Sequence, residues 1–157
     1  MNTQHGLDSN VTTNNNGLAT SGDAAVTSAL SRELDFPNEA LTHAIIGAGI
    51  SVHRQLGPGL LEALYERAMC VELERREIPF RSQVPVPLTY CGAPIGDYYA
   101  DLIVDDRVIV ELKSVGAIQN AHLAQILTYL TITKLRLGLI MNFNAPVLHR
   151  GVKRVIR

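Results

Sequence analysis

The sequence has no tryptophan, only two cysteines and no acidic residue after Lys134. It also has no apolar run approaching the roughly 18–20 residues that span a bilayer, so no membrane association is expected. Cys70 and Cys91 lie far apart and lack metal-ligand spacing, which predicts free thiols in a reducing cytoplasm. His5, His43, His53, His122 and His149 are scattered and make no zinc pattern. The N-terminus lacks the basic-then-apolar order of an export signal, so a cytoplasmic location is expected. Residues 1–35 are rich in Asn, Thr, Ser, Gly and Ala and poor in large apolar side chains. Such a segment cannot bury enough surface to offset its ordering entropy, and it reads as a disordered tail with at most a helical turn within Ala24–Leu34. Residues 36–157 are long enough for one domain with a real core, and no internal repeat divides them.

What is present begins with two helices. A helix opens at Pro37-Asn38-Glu39, with Asn38 or Asp35 as the capping residue, and carries Leu41, Ile45, Ala48 and Val52 at helical spacing. Gly47 and Gly49 allow a neighbouring element to come close, and Gly57-Pro58-Gly59 ends the helix. A second helix follows over Leu60–Glu77, with Leu61, Leu64, Ala68 and Val71 as its expected apolar stripe. Glu62 and Tyr65 lie three apart, on an adjoining face. Glu62 there reads either as a first-turn acid favoured by the helix dipole or as a carboxylate reaching a site. Pro79–Val84 and Pro85–Tyr90 read as extended chain, limited by their prolines to edge or bulged strands, before a turn at Cys91-Gly92-Ala93-Pro94.

The most informative stretch is Tyr98–Ser114, which reads as two strands joined at Asp105-Asp106. Leu102–Val104 and Val108–Val110 suit buried strands, yet Asp101, Glu111 and Lys113 are charges set into these runs. Buried charges are costly unless paired or bound to metal. Glu111 and Lys113, two apart, share a face. A two-residue loop would pair Val104 with Arg107 and put Asp101 on the other face; a three-residue loop, or a bulge, pairs Val104 with Val108 and sets Asp101 opposite Glu111. The latter arrangement is expected, because it brings two carboxylates together for one hard divalent cation. An E-x-K tripeptide alone is more often a solvated strand face.

A third helix is expected over Asn120–Thr133, with Leu123, Ile126, Leu127 and Leu130 toward the core and His122, Gln125 and Tyr129 on another face. That second face is either an ordinary polar surface or a contribution to the charged patch. Leu137–Phe143 reads as a central strand, Asn142–Pro146 as a turn, and Val152–Ile156 as an edge strand. The acid-free end, with Lys134, Arg136, Arg150, Lys153, Arg154 and Arg157, suits either phosphate contacts or solubility.

Taken together these stretches resemble the GxxExxY family, a branch of the PD-(D/E)XK nuclease superfamily. The naming motif stands as Gly59-Leu60-Leu61-Glu62-Ala63-Leu64-Tyr65, and Asp101 with Glu111-Leu112-Lys113 looks like the D…ExK core. Gln125-x-x-x-Tyr129 is similar to the QxxxY motif of the superfamily's exonuclease-related branch, and Leu137–Asn144 to the family's penultimate strand. The resemblance covers about residues 38–157. Ser51 stands where many relatives carry Glu, and Tyr99 where they often carry Arg.

The resemblance implies an α/β, restriction-endonuclease-like core, a mixed central sheet flanked by helices. It also implies a metal-dependent nuclease acting on nucleic acid, DNA rather than RNA, with Glu62, Asp101, Glu111, Lys113, Gln125 and Tyr129 in the active site. Asp101 and Glu111 would hold Mg²⁺ (or Mn²⁺), the Leu112 carbonyl and Glu62 adding oxygen ligands, and Lys113 would position water or stabilise transition-state charge. A non-catalytic nucleic-acid-binding module, or a subunit of a larger assembly that retains the fold, is the alternative.

Overall fold

The computed structural model describes residues 38–157; the expected tail over residues 1–35, with its helical turn, lies outside the described residues. Helices α1 (Glu39–Leu56) and α2 (Glu62–Arg75) precede strands β1 (Phe80–Tyr90), β2 (Ala93–Val104) and β3 (Val108–Lys113). Helix α3 (Asn120–Thr133), strand β4 (Leu137–Asn142), a 3₁₀ turn (Leu148–Gly151) and strand β5 (Val152–Ile156) complete the order. The five strands form one sheet in sequence order; β3 and β4 are parallel, and every other neighbouring pair is antiparallel. A parallel pair needs a crossover, and α3 supplies it. The fold is therefore α/β with a mixed sheet, as expected.

Helices cover both faces of the sheet. On one, Ile45, Ala48 and Val52 of α1 and Tyr65, Met69 and Leu73 of α2 pack on Leu102, Val104, Val108, Val110 and Leu112. On the other, Ile126, Tyr129 and Leu130 of α3 pack on Ala100, Ile103, Ile109 and Ile140. Strands β3 and β4 are buried along their whole length, so Glu111 and Lys113 sit on a strand with no solvated side.

Two helix faces differ from expectation. In α2 the buried stripe is Tyr65, Met69 and Leu73, while Leu61, Leu64 and Val71 are exposed. The sequence offers two stripes at helical spacing, and the buried one puts Met69, Leu73 and the Tyr65 ring in the core with the Tyr65 hydroxyl on backbone partners (below). In α3, Leu127 is exposed and Tyr129 is buried in the stripe. At the first helix, Asn38 occupies the cap position in a left-handed conformation but makes no side-chain cap; its carbonyl accepts from the Thr42 backbone N–H and hydroxyl instead.

Strand β1 is one edge strand rather than two segments, with a register shift between Leu88 and Thr89. Its prolines are tolerated because an edge strand leaves one side of its backbone unpaired. The turn into β2 is only Cys91-Gly92, both at positive φ, so Ala93 and Pro94 belong to the strand.

Gly138 on β4 lets α3 lie close to the sheet. A Cβ there would stand 2.5 and 2.8 Å from Ile126 Cδ1 and Cγ1. Gly138→Ala is expected to destabilise the fold by about 1–3 kcal/mol through overpacking. An unchanged urea midpoint would show that α3 has room to move.

Candidate active site

The β2–β3 hairpin decides the geometry. Asp105 and Asp106 both have positive φ, the hand of a type I′ turn, and the Arg107 N–H closes it onto the Val104 carbonyl at 3.0 Å. Arg107 is then an extra residue, so Val104 pairs with Val108, Ile103 with Ile109 and Leu102 with Val110. Continuing that register sets Asp101 opposite Glu111. The backbone ladder, however, stops at Leu102. Beyond it the carboxylates take over: Asp101 Oδ2 accepts from the Leu112 N–H (2.8 Å), and Glu111 Oε1 accepts from the Asp101 N–H (3.4 Å). The strands part where the two acids face each other, and each acid satisfies a backbone donor of the other strand.

Lys113 lies one pleat beyond Glu111 on the same face. Its Nζ donates to Glu111 Oε2 at 3.2 Å and stands 3.6 Å from Glu62 Oε1. Glu62 comes from the opposite helical layer, and the seven-residue motif explains how it arrives. The Tyr65 hydroxyl donates to the Gly57 carbonyl (2.6 Å) and accepts from the Leu60 N–H (3.1 Å), and its ring stacks on Phe143 with centroids 4.4 Å apart. Gly57 and Gly59 supply the positive φ that this tight entry to α2 needs. The Ser114 hydroxyl, directly after the ExK tripeptide, donates to the Leu60 carbonyl at 2.7 Å. Glu62 is thereby fixed at the first turn of α2, beside Lys113.

From α3, Gln125 Nε2 donates to the Tyr129 hydroxyl at 2.6 Å, and the Tyr129 ring lies against Tyr98 at 5.6 Å. Tyr129 is bonded to Gln125 rather than to Lys113. His122 belongs to the capping box that opens α3: its Nδ1 accepts from the Gln119 N–H. Ser51 accepts from Arg76, tying α1 to the end of α2. Tyr99 is exposed on β2.

Sequence reasoning gave no role to two residues that hold this end of the sheet. Ser114 carries no signal in isolation. Asn142 does: it is a polar residue in an apolar strand, the same anomaly that marks Glu111. Its amide is buried and pairs with Val115 as a peptide would, Nδ2 donating to the carbonyl (2.8 Å) and Oδ1 accepting the N–H (3.1 Å).

The electrostatics follow from burial. Glu111 is 2% exposed, and burial first, then repulsion from Asp101, pushes its pKa up to about 7 in spite of Lys113. Asp101 is raised too, chiefly by burial, against the opposing pull of the Leu112 N–H and Lys113. Burial works against the Lys113 charge, but Glu111, Glu62 and Asp101 outweigh it and hold the ammonium above its ordinary range. Burial also raises Tyr129, helped by Glu111 and Asp101, so its phenol stays protonated. Two facing carboxylates that resist ionisation together are hard oxygen donors suited to a divalent cation. Among the described residues, no three His, Cys, Asp or Glu side chains form a metal-binding group; Glu62 meets the site through Lys113.

The cavity of about 800 Å³ running from Glu74 to Pro85 along β1 contains none of these residues. Concavity there reflects the exposed edge strand, and the chemistry lies elsewhere. Cys70 and Cys91 are free thiols. No helix among the described residues is long and apolar enough to cross a membrane.

The family model of the PD-(D/E)XK nuclease superfamily matches residues 39–155, spanning every helix and nearly all of the sheet described above. No curated protein and no solved structure matches the chain significantly. Nucleases of this superfamily generally use divalent metal ions. With the matching span taken together with the D…ExK residues on β2 and β3, the chain belongs to the PD-(D/E)XK nuclease superfamily.

Proposed function

We propose that this chain is a metal-dependent nuclease of the GxxExxY branch that hydrolyses phosphodiester bonds in nucleic acid. The preference for DNA over RNA rests on the family resemblance alone. The observation that carries the reading is the parted end of the β2–β3 hairpin, where Asp101 and Glu111 face each other with the Lys113 ammonium alongside. Asp101 and Glu111 would hold Mg²⁺ or Mn²⁺, with the Leu112 carbonyl and Glu62 as further oxygen donors, direct or through water. Such an ion polarises a phosphoryl oxygen and lowers the pKa of bound water.

The remaining work falls to side chains already placed. Lys113, held charged by the surrounding acids, orients the attacking water and offsets charge on the phosphoryl group. Glu62 holds Lys113 from the other side. Gln125 donates to the Tyr129 oxygen, which leaves the phenol proton to donate to a phosphoryl oxygen.

One observation favours a second reading, a non-catalytic nucleic-acid-binding module or assembly subunit: Glu111 and Lys113 are almost fully covered. A pure binder, however, has no use for facing carboxylates, which repel phosphate unless a cation intervenes.

A cleavage assay on single- and double-stranded DNA and RNA, with Mg²⁺, Mn²⁺ or EDTA, separates the two. Metal-dependent cleavage is expected from the wild type, falling by about 100-fold or more in Glu111→Ala and Lys113→Ala. A wild type that binds but never cuts with either metal is a binding module. Equal cleavage by Lys113→Ala removes Lys113 from the chemistry.

A further inference from the structure

The acid-free C-terminal segment does not form one basic patch. Strand β5 runs back along β4, so the Arg157 N–H bonds the Arg136 carbonyl at the start of β4, while Lys153 lies opposite Ile140 near its far end. Arg150 precedes β5 in the 3₁₀ turn. The fold thus sends Lys134, Arg136 and Arg157 to one end of the sheet and Arg150 and Lys153 to the other, which is the end that carries Lys113.

There Arg150 and Lys153 line a groove of about 380 Å³ with Gly116, Asn142 and Asn144. Its position relative to the acids is set by register. Asn142 is the β4 neighbour of Lys113, and Gly116 is three residues past Lys113. Ile140 packs beneath α3 together with Ile109. Residues paired across strands share a face, so Lys153 is on the α3 side, as are Glu111 and Lys113 by alternation from Ile109.

The groove is also rigid. Asn142 is locked to Val115 by paired amide bonds, and Gly151 packs so tightly that a Cβ would stand 2.5 Å from the Asn142 carbonyl oxygen. Arg150 and Lys153 are exposed, and neither has an ion-pair partner among the described residues. Two unneutralised cations, Arg150 on the 3₁₀ turn and Lys153 on β5, at the sheet end that carries an acid pair repelling phosphate, have an evident electrostatic use.

We propose that this groove is a phosphate subsite that grips the nucleic-acid backbone beside the bond being cut, Arg150 by its guanidinium fork and Lys153 as a point charge. The inference rests on the nuclease reading and narrows its substrate to a strand with at least one phosphate flanking the scissile one.

The test measures binding of a labelled 20-nucleotide DNA strand to the full chain by fluorescence anisotropy over a salt titration, in EDTA so that nothing is cut. Arg150→Gln/Lys153→Gln is expected to weaken binding about tenfold and to flatten the log–log salt slope by about 1.4. Lys153→Gln alone, at an exposed strand position that tolerates the change, should give about half of that slope change. The control Lys134→Gln/Arg136→Gln, drawn from the same basic segment at the other end of β4, should change binding less than about twofold. Equal effects of the two pairs, or none from the first, overturn the subsite. Wild-type cleavage with Mg²⁺, run in parallel, tells the failures apart. If the wild type cuts while the Arg150/Lys153 pair has no effect, the groove alone is wrong. If the wild type neither cuts nor binds, the nuclease reading falls and takes the groove with it.

Discussion

Glu111→Gln should make the metal-free protein more stable at pH 8 while removing its cleavage activity. Glu111 has a folded pKa of about 7 against an ordinary value of 4.5. A carboxyl raised in this way contributes stability that is complete below the unfolded value and is lost as pH rises through the folded one. In EDTA the wild type should therefore lose stability between about pH 4.5 and 7 relative to the variant, on the order of 3 kcal/mol in all, an energy shared with Asp101. The amide keeps the shape of the side chain and can still accept from the Asp101 N–H, while its NH2 group takes the place of the oxygen that accepts from Lys113, so the variant removes the charge together with that one hydrogen bond. Added Mg²⁺ should raise the melting temperature of the wild type, because a ligand that binds only the folded state stabilises it, and should do little for the variant. Activity should drop by about 1000-fold. Denaturant melts of both proteins at pH 5 and pH 8 are the measurement. Parallel stability curves would mean that burial of Glu111 costs nothing, and the tension assigned to the acid pair would be gone.

Tyr65→Phe is the second large effect. The change keeps the ring on Phe143 and removes only the oxygen, leaving the Gly57 carbonyl and the Leu60 N–H without the partner that joins them. An unpaired buried polar group costs about 1–3 kcal/mol. Tyr65→Ala removes the ring as well, at about 3–5 kcal/mol. Loosening this loop frees Glu62 from its place beside Lys113, so Tyr65→Phe should lose about tenfold or more in kcat even where it is fully folded, an effect of the size that follows small misplacements near a reacting centre. Leu61→Ala, at a position 75% exposed, should leave both quantities unchanged. Urea melts and kcat at one temperature decide it. Wild-type stability in Tyr65→Phe would show that the hydroxyl is dispensable and that Glu62 is placed by other means.

These expectations combine local patterns with contacts that no local pattern contains. Leu102–Val104 and Val108–Val110 announced their strands because branched apolar runs have few other uses, and the charges within them stood out for the same reason. The turn was harder. Whether Asp101 meets Glu111 depends on one residue, Arg107, being extra to the Asp105-Asp106 turn, and the argument for it is that two buried carboxylates brought together can share one divalent cation, not turn chemistry. The buried stripe of α2 could not be chosen from periodicity, since Leu61, Leu64 and Val71 are as apolar as a core face should be. What distinguishes the buried stripe is tertiary: the Tyr65 ring stacks on Phe143 and its hydroxyl meets two backbone groups five and eight residues away.

The sequence by itself determined the α/β order of elements, the span of α3, the strands that carry Asp101 and Glu111, and the superfamily to which these motifs point. Spacing, propensity and the misfit of a charge in an apolar run are properties of a few adjacent residues, and they survive without coordinates. The tertiary structure alone decided that Glu62 reaches Lys113 from the opposite layer, that carboxylates replace the ladder beyond Leu102, and that the C-terminal cations divide between two ends of the sheet. Each of these joins residues far apart in the chain, and only the packing of helices on a particular strand register brings them within a few ångströms.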